Sequence, residues 1–240
     1  MSKVTTFFKM GMITATLFLT GCATTQQQSD VNDPLEGYNR VMYSFNDTVD
    51  SAILKPVAQG YDTVMPDPIS KSISNFFSNL DDITVVINDV LQFKLMQAFD
   101  DSSRFAINST VGVLGLRDVA SEFGYKKNNE DFGQTLGVWG LGTGPYLVLP
   151  LLGPSDVRDT VGLVGDYYTD PITYVKGPAA RNPFVITDVI DTRAGLLSAE
   201  KVVDEAAFDE YTFIRDAYLQ RRQSLVYDGN PPDDFDVFEE

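Results

Sequence analysis

Histidine is absent from all 240 residues, and cysteine occurs once, as Cys22. Without histidine there can be no Ser-His-Asp or Cys-His nucleophilic site, and no zinc site of His and Cys ligands. A phosphate-cradling loop ending in Gly-Lys-Ser/Thr is missing; the glycines at 140, 142 and 144 lack that ending. Positive charge is scarce, with 18 Lys and Arg against 34 Asp and Glu and a net charge of −16. Such a surface repels nucleic acid and gains nothing from anionic headgroups. Membrane attachment then has to come from acyl chains and buried apolar surface. Carboxylates are plentiful, so glycoside hydrolysis by a carboxylate pair stays formally open. An acid-rich surface accounts for them more simply, and the composition points away from an enzyme. No cofactor is implied.

The N-terminus reads as an export signal over 1–21. Lys3 and Lys9 form a basic start, and Met10 to Thr20 is apolar but shorter than the roughly 20 residues a spanning helix needs. It ends Leu19-Thr20-Gly21-Cys22, the lipobox pattern in which the cysteine becomes diacylated. The competing reading is an ordinary secretory signal with a chance cysteine. Ala23, not Asp, follows the cysteine, which favours delivery to the outer membrane. Loss of the signal removes two lysines and brings the net charge to about −18. Residues 22–32, rich in Gln, Thr and Ser, form a flexible tether. Residues 33–227 form one domain, and 228–240 an acidic disordered tail.

The domain is organised around Asp131 to Gly162. Glycines at 133, 137, 140, 142, 144 and 153 and prolines at 145, 150 and 154 exclude a long helix or a central strand from Gly140 to Pro154. The run is apolar, so the expectation is an extended, buried crossing segment with helices packed on both sides. Ahead of it, Asp33-Pro34-Leu35-Glu36 starts a helix with Asp33 as N-cap. Tyr38, Val41, Met42, Phe45 and Val49 follow at helical spacing and read as its core face. Asn39, Arg40 and Asn46 either face solvent or have a task of their own. Lys55-Pro56 and Met65-Pro66-Asp67-Pro68 disfavour helix at the residues before them.

From Asn75 to Phe99 the apolar residues Phe76, Leu80, Ile83, Ile87, Val90 and Leu91 keep helical spacing, with Asp81, Asp82, Asn88, Asp89 and Gln92 as the polar side. The helix is either a core helix or one lying in a membrane interface. Thr110 to Leu116 is apolar, carries Gly112 and Gly115, and is closed by Arg117-Asp118. It reads as a re-entrant hairpin or as a buried turn between core helices. Ser155 caps a further helix whose first turn holds Arg158 and Asp159. That pair is either a surface ion pair or a cation at a cavity wall that can meet a phosphate. Phe208, Tyr211, Ile214, Tyr218 and Leu225 mark a last amphipathic helix.

Taken together, these pieces resemble the MlaA/VacJ family of outer-membrane lipoproteins, from Asp33 to about Tyr227. The resemblance rests on Asp33-Pro34-Leu35-Glu36-Gly37-Tyr38-Asn39-Arg40, Phe132-Gly133-Gln134-Thr135-Leu136-Gly137 and Gly144-Pro145-Tyr146-Leu147-Val148-Leu149-Pro150. It rests equally on Gly153-Pro154-Ser155-Asp156-Val157-Arg158-Asp159, Asp191-Thr192-Arg193 and Tyr211 through Arg221. The resemblance implies an all-α fold: a ring-like single helical domain with Gly/Pro-rich crossing segments, almost no sheet, and anchorage in the inner leaflet of the outer membrane. It implies a polar channel that admits phospholipids misplaced in the outer leaflet. These leave toward a periplasmic lipid-carrier protein of the Mla system and then an ATP-driven inner-membrane complex. It also implies association with a trimeric outer-membrane porin. On this reading Asn39, Phe45, Asn46, Gly112, Gly115, Arg158 and Asp159 are candidates for the lipid path or its gate, Gly112 and Gly115 as a hinge, and Cys22 carries the lipid anchor. The alternative is a structural lipoprotein that holds a porin or envelope complex in place without moving lipid.

Overall fold

The computed structural model describes residues 33–232. The signal, Cys22, the tether and the end of the acidic tail lie outside the described residues. The described residues form ten α-helices and one short hairpin, with a 3-10 turn at Pro171–Tyr174: α1 Glu36–Val49, α2 Lys55–Val64, α3 Asp67–Leu91, α4 Leu95–Thr110, α5 Val119–Glu122 and α6 Phe132–Val138. Strands β1 Tyr146–Leu149 and β2 Gly153–Asp156 follow, then α7 Val157–Thr169, α8 Pro178–Gly195, α9 Leu197–Ala206 and α10 Glu210–Val226. The expectation of an all-α domain with almost no sheet holds. Among the described residues no helix is long and apolar enough to cross a membrane.

Helix contacts run in a circuit. α1 packs on β1, β2 on α10, α10 on α6, α6 and α7 on α3, α3 on α8, and α8 on α2. α2 leads back to α1 through a π-helical turn at Asp50–Leu54. That turn corrects the expected break before Pro56. Leu54 and Lys55 stay helical, and Lys55 N–H donates to Asp50 O, so the widened turn places Pro56 in the first turn of α2. There its missing N–H costs no helical bond. The second proline pair does interrupt the helix, with Met65 and Pro66 extended before α3.

Two expected caps shift by a residue or more. Leu35, not Asp33, stands at the N-cap of α1 and makes no side-chain cap. Asp33 is fully buried instead, accepting from Asn39 Nδ2 at 2.8 Å and from the Tyr211 hydroxyl. Asp156, not Ser155, caps α7: its Oδ1 accepts from Asp159 N–H at 2.7 Å, while Ser155 belongs to β2. The glycine–proline segment is a tight antiparallel hairpin rather than a buried crossing strand. Tyr146 and Val148 are buried, but Leu151 and Leu152 at its tip are exposed. Phe208 precedes α10 and is fully exposed, so the apolar stripe expected on that helix starts at Tyr211.

The main departure concerns which side of each helix faces in. Tyr38, Val41 and Phe45 on α1 are exposed, whereas Asn39 on the same helix is fully buried. On α3, Ile87 and Val90 look out while Asp82, Thr84, Asn88 and Asp89 are buried. The buried apolar cluster is small, Tyr146, Val148 and Tyr211, with Met42, Tyr43, Tyr218 and Leu219 against it. A helical period marks an apolar face; it does not say whether that face meets protein or lipid. Here polar groups gather inside, and apolar faces are turned outward.

Candidate functional site

The hairpin is held by α1. Asn39 and Asn46 stand seven residues apart, on one face of the helix. Asn39 Nδ2 donates to Tyr146 O at 3.0 Å, and its Oδ1 accepts from Val148 N–H at 2.8 Å. Asn46 repeats the arrangement, donating to Leu149 O at 2.9 Å and accepting from Leu151 N–H at 2.7 Å. The two amides stand in for a third strand along the free edge of β1. Their hydrogen-bonding groups are occupied by the hairpin, so they position it and do not offer those groups to a ligand. Phe45 lies outside this contact, exposed on α1.

Gly112 and Gly115 sit in the turn between α4 and α5. A Cβ on Gly112 would stand 2.2 Å from Arg117 O and 2.5 Å from Asn108 O. Gly115 has φ +83°, and a Cβ there would press on Asn79 at 2.5 Å. Gly115 N–H donates to Asn108 O at 2.8 Å, and Arg117 N–H to Gly112 O at 3.0 Å. These glycines allow close packing in a hydrogen-bonded turn, so their smallness is used for backbone approach. The apolar tip of the turn, Val113 and Leu114, is exposed.

Arg158 and Asp159 are buried, which excludes the surface ion pair. Arg158 Nε donates to Asp159 Oδ1 at 2.9 Å. Asp159 Oδ2 accepts from the Tyr218 hydroxyl at 2.7 Å and lies beside Arg222 Nε. Arg222 then spans to Asp131 with both terminal nitrogens, Nη2 to Oδ1 at 2.8 Å. The result is an alternating chain, Asp131–Arg222–Asp159–Arg158, joining α6, α7 and α10. Burial works against the Asp131 carboxylate, but the Arg222 fork outweighs it and holds its pKa below the usual value. Burial raises Asp156, next to this chain, well above that value. Small residues make the approach possible. A Cβ on Gly133 would meet Asp159 Oδ1 at 2.4 Å, and one on Gly162 would meet the Gly133 nitrogen at 2.5 Å. Sequence reasoning missed Arg222. Its signal was the recurrence of glycine at 133 and 137 and again at 162 and 165, the spacing at which two helices come close.

The chain of charges separates two cavities. The first, about 680 Å³, is lined by α3, α8, the Asn129–Asp131 approach to α6 and the end of α7. Its walls carry Asp81, Glu130, Asp131, Asp166, Asp170, Asp188 and Asp191, with Lys127 as counter-charge. Lys127 is held by Asp82 at 2.6 Å and Asp81 at 3.1 Å. Burial pushes the Asp166 carboxyl up to about 6 and raises Asp188 as well. The second cavity, about 510 Å³, lies between the Gly140–Gly144 loop and α10, and Arg158 is on its wall. The two ends of the chain border different cavities, Asp131 the acidic one and Arg158 the one at the glycine loop. Among the described residues no cluster of carboxylates has the arrangement of a metal site.

Comparison with known proteins agrees with this picture. The family model described as MlaA lipoprotein matches residues 31–225. A protein of Escherichia coli, "Intermembrane phospholipid transport system lipoprotein MlaA", is 34% identical over 219 residues, covering 89% of this chain and 86% of that protein. Its namesake in Haemophilus influenzae is 36% identical over 219 residues, covering 88% and 87%. A solved structure described as "Structural basis for maintenance of bacterial outer membrane lipid asymmetry" superposes with a TM-score of 0.70 at 35% identity, covering 81% of this chain and 98% of that one.

Proposed function

The chain belongs to the MlaA lipoprotein family, and from that premise we propose that it maintains outer-membrane lipid asymmetry by taking phospholipids misplaced in the outer leaflet and passing them to a periplasmic lipid carrier. The observation that carries the reading is the inversion of the helices. A domain with Asn39, Asp82, Asn88, Asp89, Asp101 and Arg104 buried and Val41, Phe45, Ile53, Met96, Phe99, Val161 and Ile186 exposed is built for an apolar surround and a polar interior. An amphiphile needs both.

The turn tips support residence in a leaflet. Phe93, Val113, Leu114 and Leu151 all hold positive φ, between 55° and 64°, and all are exposed. Positive φ costs a bulky or β-branched residue of order 1 kcal/mol or more, and water offers nothing in return for an exposed apolar tip. Insertion of these tips among acyl chains does. Such tips support, with acylation at Cys22, a domain resident in the inner leaflet of the outer membrane and facing the periplasm; the trimeric porin belongs to the same reading through the family resemblance alone.

Two measurements test this. In a deletion strain, phospholipid exposed at the cell surface should rise and be restored by the wild-type gene. Normal surface phospholipid with loss of a porin complex would instead assign a scaffolding role. Cys22→Ala should leave an unprocessed or mislocalised protein; normal size and location would remove the lipoprotein assignment.

A further inference from the structure

The cavity beside the Gly140–Gly144 loop has features that the acidic one lacks. Arg158 is 5% exposed and carries its charge on the wall of a 510 Å³ space. Its Nε and Nη2 face carboxylates: Nη2 stands 2.9 Å from Asp159 Oδ1 and 3.7 Å from Asp156 Oδ2 without a hydrogen bond to either. Among the described residues the Nη1 corner makes no hydrogen bond; it sits 3.0 Å from where a Cβ of Gly137 would be, and Gly137 also lines the cavity. The acid on this wall, Asp216, already accepts from Arg215 Nε at 2.8 Å. Gln220 and Gln223 add amide donors from α10, and Leu219 and Val226 add apolar surface from the same helix.

A buried guanidinium with a free corner, neutral amides beside it and an apolar flank is the chemistry that recognises a phosphodiester attached to acyl chains. We propose that this cavity is a phosphate subsite for a phospholipid headgroup, with Arg158 as its anchoring cation. The inference rests on the lipid-transport reading and adds to it where the phosphate is held. The acidic cavity, on the other side of the same charge chain, cannot hold an anion on these terms.

Gly142 allows a test that leaves the fold alone. It lines the cavity, its φ is not left-handed, and a Cβ built on it meets nothing within 4 Å. Full-length lipidated protein in detergent is titrated with dihexanoylphosphatidylglycerol, with dihexanoylphosphatidylethanolamine and with inorganic phosphate, and binding is read by native mass spectrometry. Gly142→Phe, which fills the space, should weaken both short-chain lipids by about tenfold or more at unchanged thermal stability. Arg158→Lys, which keeps the charge but loses the fork, should weaken them by a smaller factor. Equal binding by wild type and Gly142→Phe would overturn the assignment while leaving lipid transport intact. Displacement of the lipids by equimolar inorganic phosphate would make this a free-phosphate site and overturn it too. Failure of the wild-type protein to bind either lipid would overturn the transport reading itself.

Discussion

The two cavities share a wall and little else. On one side, carboxylates from α3, α8, the end of α7 and the approach to α6 gather around Lys127. On the other, Arg158 meets amides and the Gly140–Gly144 loop. A phosphate about 6 Å from a carboxylate is opposed by roughly 3 kcal/mol per pair at an effective dielectric near 20, and the acidic side offers several such pairs. The acidic cavity therefore disfavours a phosphate, and the proposed seat beside Arg158 is the one where an anion meets a cation. The difference teaches that a net charge of −16 says little about where an anion can go. What matters is how a few buried cations are placed against it.

The largest effect should come from breaking the wall. Arg222 is held on both sides, by Asp131 and Asp159, and is 8% exposed. Arg222→Met leaves the buried Asp159 and the half-buried Asp131 without their shared partner. Loss of one member of a buried ion network costs about 3–5 kcal/mol, and the melting temperature in detergent should fall accordingly. A loss below about 1 kcal/mol would mean that the wall is set by packing alone. Next comes Gly133→Ala, whose Cβ would meet Asp159 Oδ1 at 2.4 Å. Overpacking of this kind costs about 1–3 kcal/mol. The same substitution at Gly142, where nothing lies within 4 Å, should be close to neutral and serves as the control.

Much of this was legible in the residues. Helical spacing found α1 and most of α3, but it ran the latter on to Phe99 across the break at residues 92–94 and gave no helix at α2; the lipobox with the separated motifs pointed to the family. The glycine–proline run correctly excluded a long helix. The orientation of the faces was not legible, because Tyr38, Val41 and Phe45 have the same periodicity whether they meet a protein core or a leaflet. Asn39 and Asn46 were noticed, but the hairpin edge they satisfy is 107 and 103 residues away in sequence. No local signal reports such a partner. Arg158 was left between a surface ion pair and a cavity wall, because burial of a charged residue in the first turn of a helix has no local signal; it is buried and lines the second cavity. Asp131 and Arg222 lie 91 residues apart, and only the glycines between them hinted that their helices touch.

A sharper question is whether the acidic cavity tolerates its own charge. Removal of one carboxylate there should shift headgroup preference without touching Arg158. Asp188→Asn lowers the negative charge at a wall whose carboxyl is already pushed up by burial. In the short-chain titration the discrimination between the ethanolamine and the glycerol headgroup should narrow by about twofold to threefold. Unchanged discrimination would mean that the field of the acidic cavity does not reach the phosphate seat.

The smallest expected effect is a pH dependence, and it decides whether the acids repel one another or collect cations. Asp166 accepts Phe132 N–H at 2.8 Å, yet burial raises its carboxyl to about 6, helped by Asp131. An unfolded aspartate titrates near 3.9. Below that value both states are protonated and nothing is lost. As pH rises from about 4 to about 6 the unfolded chain ionises first, so the folded state loses stability and stays penalised above that window. Asp166→Asn keeps an oxygen for Phe132 N–H and removes the charge. The variant should match the wild type at pH 4 and exceed it at pH 7 by about 1 kcal/mol, the shift being discounted because the group is partly exposed. Thermal unfolding in detergent at the two pH values measures the difference. A variant less stable than wild type at pH 7 would show that the ionised carboxylate is favoured there. The acidic cavity would then be a surface that gathers cations, and its difference from the Arg158 cavity would be one of attraction at both rather than of repulsion at one.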